Sequence, residues 1–585
     1  MHPRRRPLRA FLQAWTASLV MAATIVALPI STTAAVTPCT DPPEVVPQDR
    51  LTAGRTGTAW TAVEGRTPVP FDVEIIGVLE DGIAPGLDFV LIETSGPVID
   101  ETGGIASGMS GSPVYISGKL AGAISYGFFA ADQRIGGMTP AEPMVELFSY
   151  GTSGRNPRIA RRVAMTPTLR QAAEKASGTD ASSFGQAELL PTPLAVSGAR
   201  EGDLAAVADR LARDGTRVIP YTSSSSRVPS RDAMATEPVA PGEPFAAALS
   251  YGLVTYAGIG TTTAVCGDLA IAFGHPFRFQ GGGPTAGFSG AEILTVIPDP
   301  SNLYGPFKIG NIAELHGVVD QDRIHGIRGV EGQMPRGTTI TSDITNLDTG
   351  KRRVDTTVVV VPSWTRWVVW DHMWYATLGV LNSRQGTVVV DWTISGVVDG
   401  EPFSVSHGNR FSGSISQPGY ELYQVVRALR SQQVARVRVT DVEIDASVSE
   451  TLVTASVGES LTASSLAPAL RDRDRLQVAA GDTVQIRTPL DPRGPAAPFD
   501  VDLSIGVPAD VEGDGQLRVE SGQSFLRYWN VGSFAQLLKR IQRLPRNDTL
   551  RASLKMEGAR SVFVTVPLEY VPKRSWDRVR LRLQG

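Results

Sequence analysis

Thr102-Gly-Gly-Ile-Ala-Ser-Gly-Met-Ser-Gly-Ser-Pro-Val-Tyr-Ile-Ser-Gly-Lys-Leu-Ala-Gly-Ala-Ile-Ser-Tyr126 is the stretch on which the reading of this chain turns. At its centre, Gly108-Met-Ser-Gly-Ser-Pro113 sets a serine among glycines, which permits a tight loop whose backbone N–H groups turn inward. Behind the loop, Val114-Tyr-Ile116, the turn pair Ser117-Gly118 and Leu120 to Tyr126 read as a strand, a two-residue turn and a strand. A hydroxyl raised on such a loop beside converging amides is the arrangement that acyl transfer needs. Ser110 is then the nucleophile, and the amides of Gly108 and Ser110 are the oxyanion donors. The plain alternative is a Gly/Ser-rich turn without chemistry. The six-residue core together with the hairpin behind it favours the functional reading.

A serine hydroxyl is protonated at neutral pH and needs a base. Histidine occurs at six positions: 2, 275, 316, 325, 372 and 407. His372 sits among Trp364, Trp367, Trp370 and Trp374, which suggests packing or an aromatic surface, and His407 lies in a polar turn. His275 stands at the end of an expected strand, in Ala272-Phe-Gly-His-Pro-Phe277, where a rigid element can hold the ring at a cleft. Taken alone, the same residue reads as a turn histidine between Gly and Pro.

The block from Thr94 to Tyr126 resembles the SpoIVB peptidase family of serine peptidases, whose signature around the nucleophile is ETGG-x3-GMSGSP-x4-GK-x2-GA. Gly258-Ile-Gly-Thr261 followed by Phe273-Gly-His-Pro276 is similar to the family segment that carries the catalytic histidine. The likeness extends to Ala291–Ile297 and Gln321–Ile327, covering about residues 50–150 and 240–335. It implies Ser110 as nucleophile, His275 as general base and a protein or peptide substrate. Two departures stand out. The histidine segment follows the serine segment here, the reverse of the family order, as in a circular permutation or an architectural variant of the family. The family's aspartate lies fifteen residues before the nucleophile, and that position is Ser95. Asp100 is the first replacement candidate for the acid and Asp268 the second, with Glu93 also close to the loop in sequence; both aspartates also read as solvated turn residues.

The expected fold class is mainly β: a chymotrypsin-like double β-barrel followed by one or two β-sandwich-like C-terminal domains. The hairpin behind Ser110 fits the second barrel of such a fold. Apolar, β-branched runs at Phe71–Leu79 and Phe89–Ile92 support the first part, 36–150. Residues 151–240 read as a linker, basic and irregular at Arg155–Arg170, with one helix on Leu204, Val207, Ala208 and Leu211 and a stop at Gly215. The histidine-bearing part spans 241–345 and a β-rich region 346–585, with strands clearest at Val354–Val361, Gly386–Trp392, Arg436–Ile444 and Phe499–Val507. Two amphipathic helices interrupt that region, on Leu422 to Leu429 and on Phe534 to Ile541, the second with Ser533 as N-cap. The Trp364–Trp374 stretch reads as core aromatics between strands, with a carbohydrate or peptide platform as the alternative.

The 585 residues, with 59 Gly and 41 Pro, suit a multi-domain protein of short strands and many turns. Arg4, Arg5, Arg6 and Arg9, the apolar run Ala14–Leu28 and the small residues Thr33–Ala35 form a signal-peptide pattern over 1–35, an uncleaved anchor being the alternative. Cleavage there takes the formal charge from −4 to −8, with no basic stripe for nucleic acid. Cys39 and Cys266 would both reach an oxidising compartment, and a disulfide between them is expected. HExxH, clustered metal-ligand spacing and a phosphate-binding loop are absent from the sequence, so no metal and no cofactor are expected. Two functions remain: a secreted serine endopeptidase, or a non-catalytic peptidase-like protein that binds or scaffolds in the cell envelope.

Overall fold

The serine loop sits on a closed barrel. Its strands are β1 (Thr56–Thr61), β2 (Val69–Ala84), β3 (Leu87–Ser95), β4 (Pro113–Ile116), β5 (Lys119–Gly127) and β6 (Ile135–Pro140). They lie in the order β4-β1-β2-β3-β6-β5, and pairing of β4 with β5 closes the ring. All six contacts are antiparallel. Along β2, Phe71, Val73 and Ile75 point inward while Asp72 and Glu74 face water, the period-two pattern of a strand with one buried face. Ser117 and Gly118 both take positive φ, 51° and 80°, as the twist of a two-residue hairpin requires. These features belong to a computed structural model that describes residues 39–129, 131–151, 162–199, 202–213, 215–228, 238–299, 305–511, 513–521, 531–573 and 576–584. The expected leader, 1–35, lies outside the described residues.

A second barrel carries the histidine. Its strands are Pro244–Gly252, Thr255–Cys266, Leu269–Ala272, Gly281–Ile297, Gly317–Arg323 and Gly326–Glu331. Antiparallel pairing runs through all six and returns to its start. Closure leaves no edge strand exposed in either ring. Its interior holds Phe245, Phe273 and Phe288, with Phe245 and Phe288 stacked at 4.4 Å. The protein is therefore mainly β, with two six-stranded antiparallel barrels in the chymotrypsin-like manner. The hairpin behind Ser110 lies in the first barrel of the chain, and the barrel that carries His275 follows it. The reversed order of the serine and histidine segments is thus an order of barrels.

Residues 151–240 are more than a linker. Arg162–Ala164 and Gln186–Leu189 extend the first sheet, and Thr192–Ser197 and Val218–Thr222 extend the second. Besides the expected helix, Asp203–Arg213, there is one at Pro167–Ser177, which begins inside the stretch Arg155–Arg170 read as irregular and is not expected from the sequence. Thr166 caps it by accepting the Leu169 N–H, and Pro167 occupies its first position.

The boundary expected at 345 is also displaced. Strands Thr338–Asn346, Arg352–Val359, Gln385–Val398, Glu401–Ser414 and Val437–Ser449 continue the second barrel's sheet, joined to it by Ser250–Val359 pairing. Helices Thr365–Leu381 and Gln417–Ser431 accompany that extension. The first of these is not among the two helices expected here: the Trp-rich stretch is flanked by strands, as read, but is itself helical. Ten of its seventeen residues are buried, so it lacks the polar stripe by which an amphipathic helix is recognised. Trp367 and Trp370 pack on Tyr423 of the second helix. From Thr454 onward a six-stranded and a five-stranded sheet enclose a separate apolar core, the expected sandwich. Ser533 caps the helix Phe534–Gln542 as expected.

Candidate active site

Ser110 and His275, 165 residues apart in sequence, meet between the barrels: His275 Nε2 lies 2.9 Å from Ser110 Oγ. The partner seen at Nδ1 is the Pro276 carbonyl at 2.8 Å. A carbonyl can only accept, so Nδ1 carries the proton and Nε2 presents its lone pair to the serine hydroxyl. This is the tautomer a general base requires.

The serine loop is held by its carbonyls. Lys308 N–H donates to Ser107 O, Thr261 Oγ1 to Gly108 O, Ser112 N–H to Met109 O and Thr261 N–H to Ser110 O. Thr263 Oγ1 donates to Gly111 O at 2.7 Å. A peptide whose oxygen is tied on one side presents its N–H on the other. Met109 and Gly111 N–H are spent on Ala106 O and Ile124 O. Among the described residues the amides of Gly108 and Ser110 donate to nothing. These are the two amides expected as oxyanion donors. Gly108 has φ 95°, which a side chain would resist.

The histidine loop carries backbone strain. Phe273 has φ 72° and Gly274 φ 66°, so the chain reverses just before His275. A bulky residue at positive φ costs about 1–3 kcal/mol and survives only where its surroundings over-determine it. Here the ring is wholly buried against Phe245 and Phe277. A Cβ on Gly260 would come 2.3 Å from that ring, and one on Gly258 2.7 Å from Phe277. The glycines of Gly258-Ile-Gly-Thr261 thus make room for the aromatics that brace His275, while the threonine grips the serine loop. Beyond the histidine, the buried Asp322 carboxylate accepts N–H bonds from Phe277, Arg278 and Gln280.

Each barrel holds a loop of the other. Thr261 and Thr263 of the second barrel hold the serine loop, whereas Thr139 Oγ1 of β6 donates to Gly274 O at 2.7 Å. Ser125 of β5 supports Thr139 in turn. The disulfide Cys39–Cys266, with Cα atoms 5.1 Å apart, ties the segment before β1 to the end of strand Thr255–Cys266. Sequence reasoning overlooked Thr261, Thr263, Thr139, Lys308 and Asp322 as supports. Only Thr261 and Asp322 carried a signal, by lying in the family-like segments.

The acid candidates are elsewhere. Asp100 is exposed on the short helix Pro97–Thr102. Asp268 lies in the turn before Leu269–Ala272, at the far end of that strand from His275. Ser95, at the exposed end of β3, faces a groove with Trp60, Asp72, Glu74 and Tyr115. The other described histidines are structural. His316 packs on Phe288, His325 on Tyr150 and His407 on Trp392, and His372 bonds Thr357 and Ser342 inside the core.

Beside His275 opens a cavity of about 230 Å³, lined by Pro276, Phe277, Leu189, Leu190 and the Arg162–Glu188–Arg217 ion group. Ser110 and His275 themselves are only 4% and 2% exposed. No curated protein and no solved structure matches the chain. The model of one family, SpoIVB peptidase S55, matches residues 31–145, which include the whole serine-bearing barrel.

Proposed function

We propose that the protein is an exported serine endopeptidase of the SpoIVB type, with Ser110 as nucleophile and His275 as general base. The observation that carries this reading is the 2.9 Å contact from His275 Nε2 to Ser110 Oγ beside two unspent amides. His275 takes the hydroxyl proton as Ser110 Oγ attacks the scissile carbonyl. The oxyanion settles on the N–H groups of Gly108 and Ser110. The imidazolium returns its proton to the leaving amine, the C–N bond breaks, and water releases the acyl group by the same steps in reverse. Support for export is the expected leader together with the Cys39–Cys266 disulfide, since such bonds persist outside the cytosol.

One observation favours the rival reading, a peptidase-like binding module of the envelope: both reactive side chains are nearly inaccessible. Treatment of the full chain with a fluorophosphonate probe separates the two. Catalysis predicts a single adduct on Ser110, lost in Ser110→Ala and reduced at least about a hundredfold in His275→Ala. A folded protein whose Ser110 stays unmodified would establish the binding module instead.

A further inference from the structure

Lys308 is the most unusual side chain near the site. It is wholly buried, on the strand Phe307–Ile312, and among the described residues no carboxylate faces it. Its Nζ bonds Thr61 Oγ1 of β1 at 2.6 Å and Thr261 Oγ1 at 3.4 Å. The same Thr261 hydroxyl donates to Gly108 O at 2.8 Å. The lysine stem lies directly beneath Gly108, where a glycine Cβ would meet its Cβ, Cγ and Cδ at 3.1–3.2 Å. Its backbone N–H ties Ser107 O, the carbonyl of the peptide that carries Gly108 N–H. A buried cation without a counter-charge is costly, and structural packing alone gives no reason for an amine at this position.

We infer that Lys308 is a positioning residue for the oxyanion loop: its backbone N–H on Ser107 O aims the Gly108 amide at the substrate, and its ammonium obliges the Thr261 hydroxyl to donate to Gly108 O, fixing the next peptide of the loop. This rests on the peptidase reading of Ser110. An ammonium has three donors and no acceptor, so beside it Thr261 Oγ1 can only accept from Nζ, and its own proton goes to Gly108 O. A neutral amine has a lone pair that competes for that proton, and Gly108 O is then released. Burial brings the ammonium down to about 7, inside the working pH range. Among the described residues its amine bonds the hydroxyls of Thr61 and Thr261, and no charged group on β1, the serine loop, strand Thr255–Cys266 or the paired strand Gly281–Ile297 acts on it. Across the loop lies His275, through Ser110.

The test is the rate of fluorophosphonate labelling of Ser110 from pH 6 to 10, in the parental chain, Lys308→Met and Thr261→Val. The parental rate should fall as pH rises through the lysine's titration. Lys308→Met, which keeps the stem, should label about a hundredfold more slowly at neutral pH and lose that alkaline fall, the size expected for one misplaced oxyanion donor. Thr261→Val keeps the lysine and breaks the relay, so it should show the same loss even if Lys308→Met does not fold. Parental rates with an unchanged pH profile in either folded variant overturn the role of Lys308 while leaving Ser110 as nucleophile. An unlabelled parental chain removes both.

Discussion

Replacing Gly111 by alanine should disable the site while leaving the rest of the barrels nearly intact. A Cβ at that position would lie 2.0 Å from Thr261 O and 2.5 Å from Phe273 N, where ordinary contact begins at 3.4 Å. Both obstacles are backbone of the second barrel and cannot rotate away, so the serine loop must retreat by more than about 1 Å. That retreat breaks the Thr261 bonds to Ser110 O and Gly108 O, each buried loss worth about 1–3 kcal/mol. Gly111 also has φ 95°, which adds about 1–2 kcal/mol for any side chain. The expected destabilisation is therefore about 3–8 kcal/mol, read from urea unfolding. Fluorophosphonate labelling should fall about a hundredfold or more, the usual effect of a 1 Å misplacement. Gly118→Ala is the control: its φ is 80°, yet nothing lies within 4 Å of the new methyl. It should lose only the strain term and keep its labelling rate. If Gly111→Ala labels within threefold of the parent and unfolds at the same urea concentration, the steric argument is wrong.

Removing the Cys39–Cys266 disulfide, which closes a separation of 227 residues, should cost about 2–5 kcal/mol. The Cys39→Ser/Cys266→Ser double variant should then unfold at lower urea than the oxidised parent and match the reduced one; equal midpoints for all three would refute this. Burial lowers His372 to about 3, and His316 and His325 to about 4, from an ordinary 6.5. The unfolded chain takes up these protons before the folded one, so their stabilisation is full above pH 6.5 and is lost as pH falls from there toward 4. Near pH 5 each histidine should subtract about 2 kcal/mol, seen as a falling urea midpoint that His372→Gln makes shallower.

Much of the site could be read along the chain because its parts are local. Gly108 and Gly111 on either side of Ser110 mark a loop with positive φ, and Ser117-Gly118 marks a two-residue turn; both are backbone demands that only certain residues meet. Strand alternation in β2 and the apolar stripe at Leu537 and Ile541 are likewise local, because each follows from one face being buried. The helix Thr365–Leu381 escaped for the opposite reason: buried around most of its surface, it has no polar face to reveal its period. The supports of the site escaped because they are relations across space. Thr261 joins a loop 153 residues away, Thr139 reaches Gly274 across 135, and Lys308 meets Thr61 across 247. A threonine or lysine in a strand carries no mark of such a partner. The sequence by itself singled out Ser110 and His275; closure of two barrels against each other decided which carbonyls are tied, which amides stay unspent and which nitrogen of His275 faces the serine.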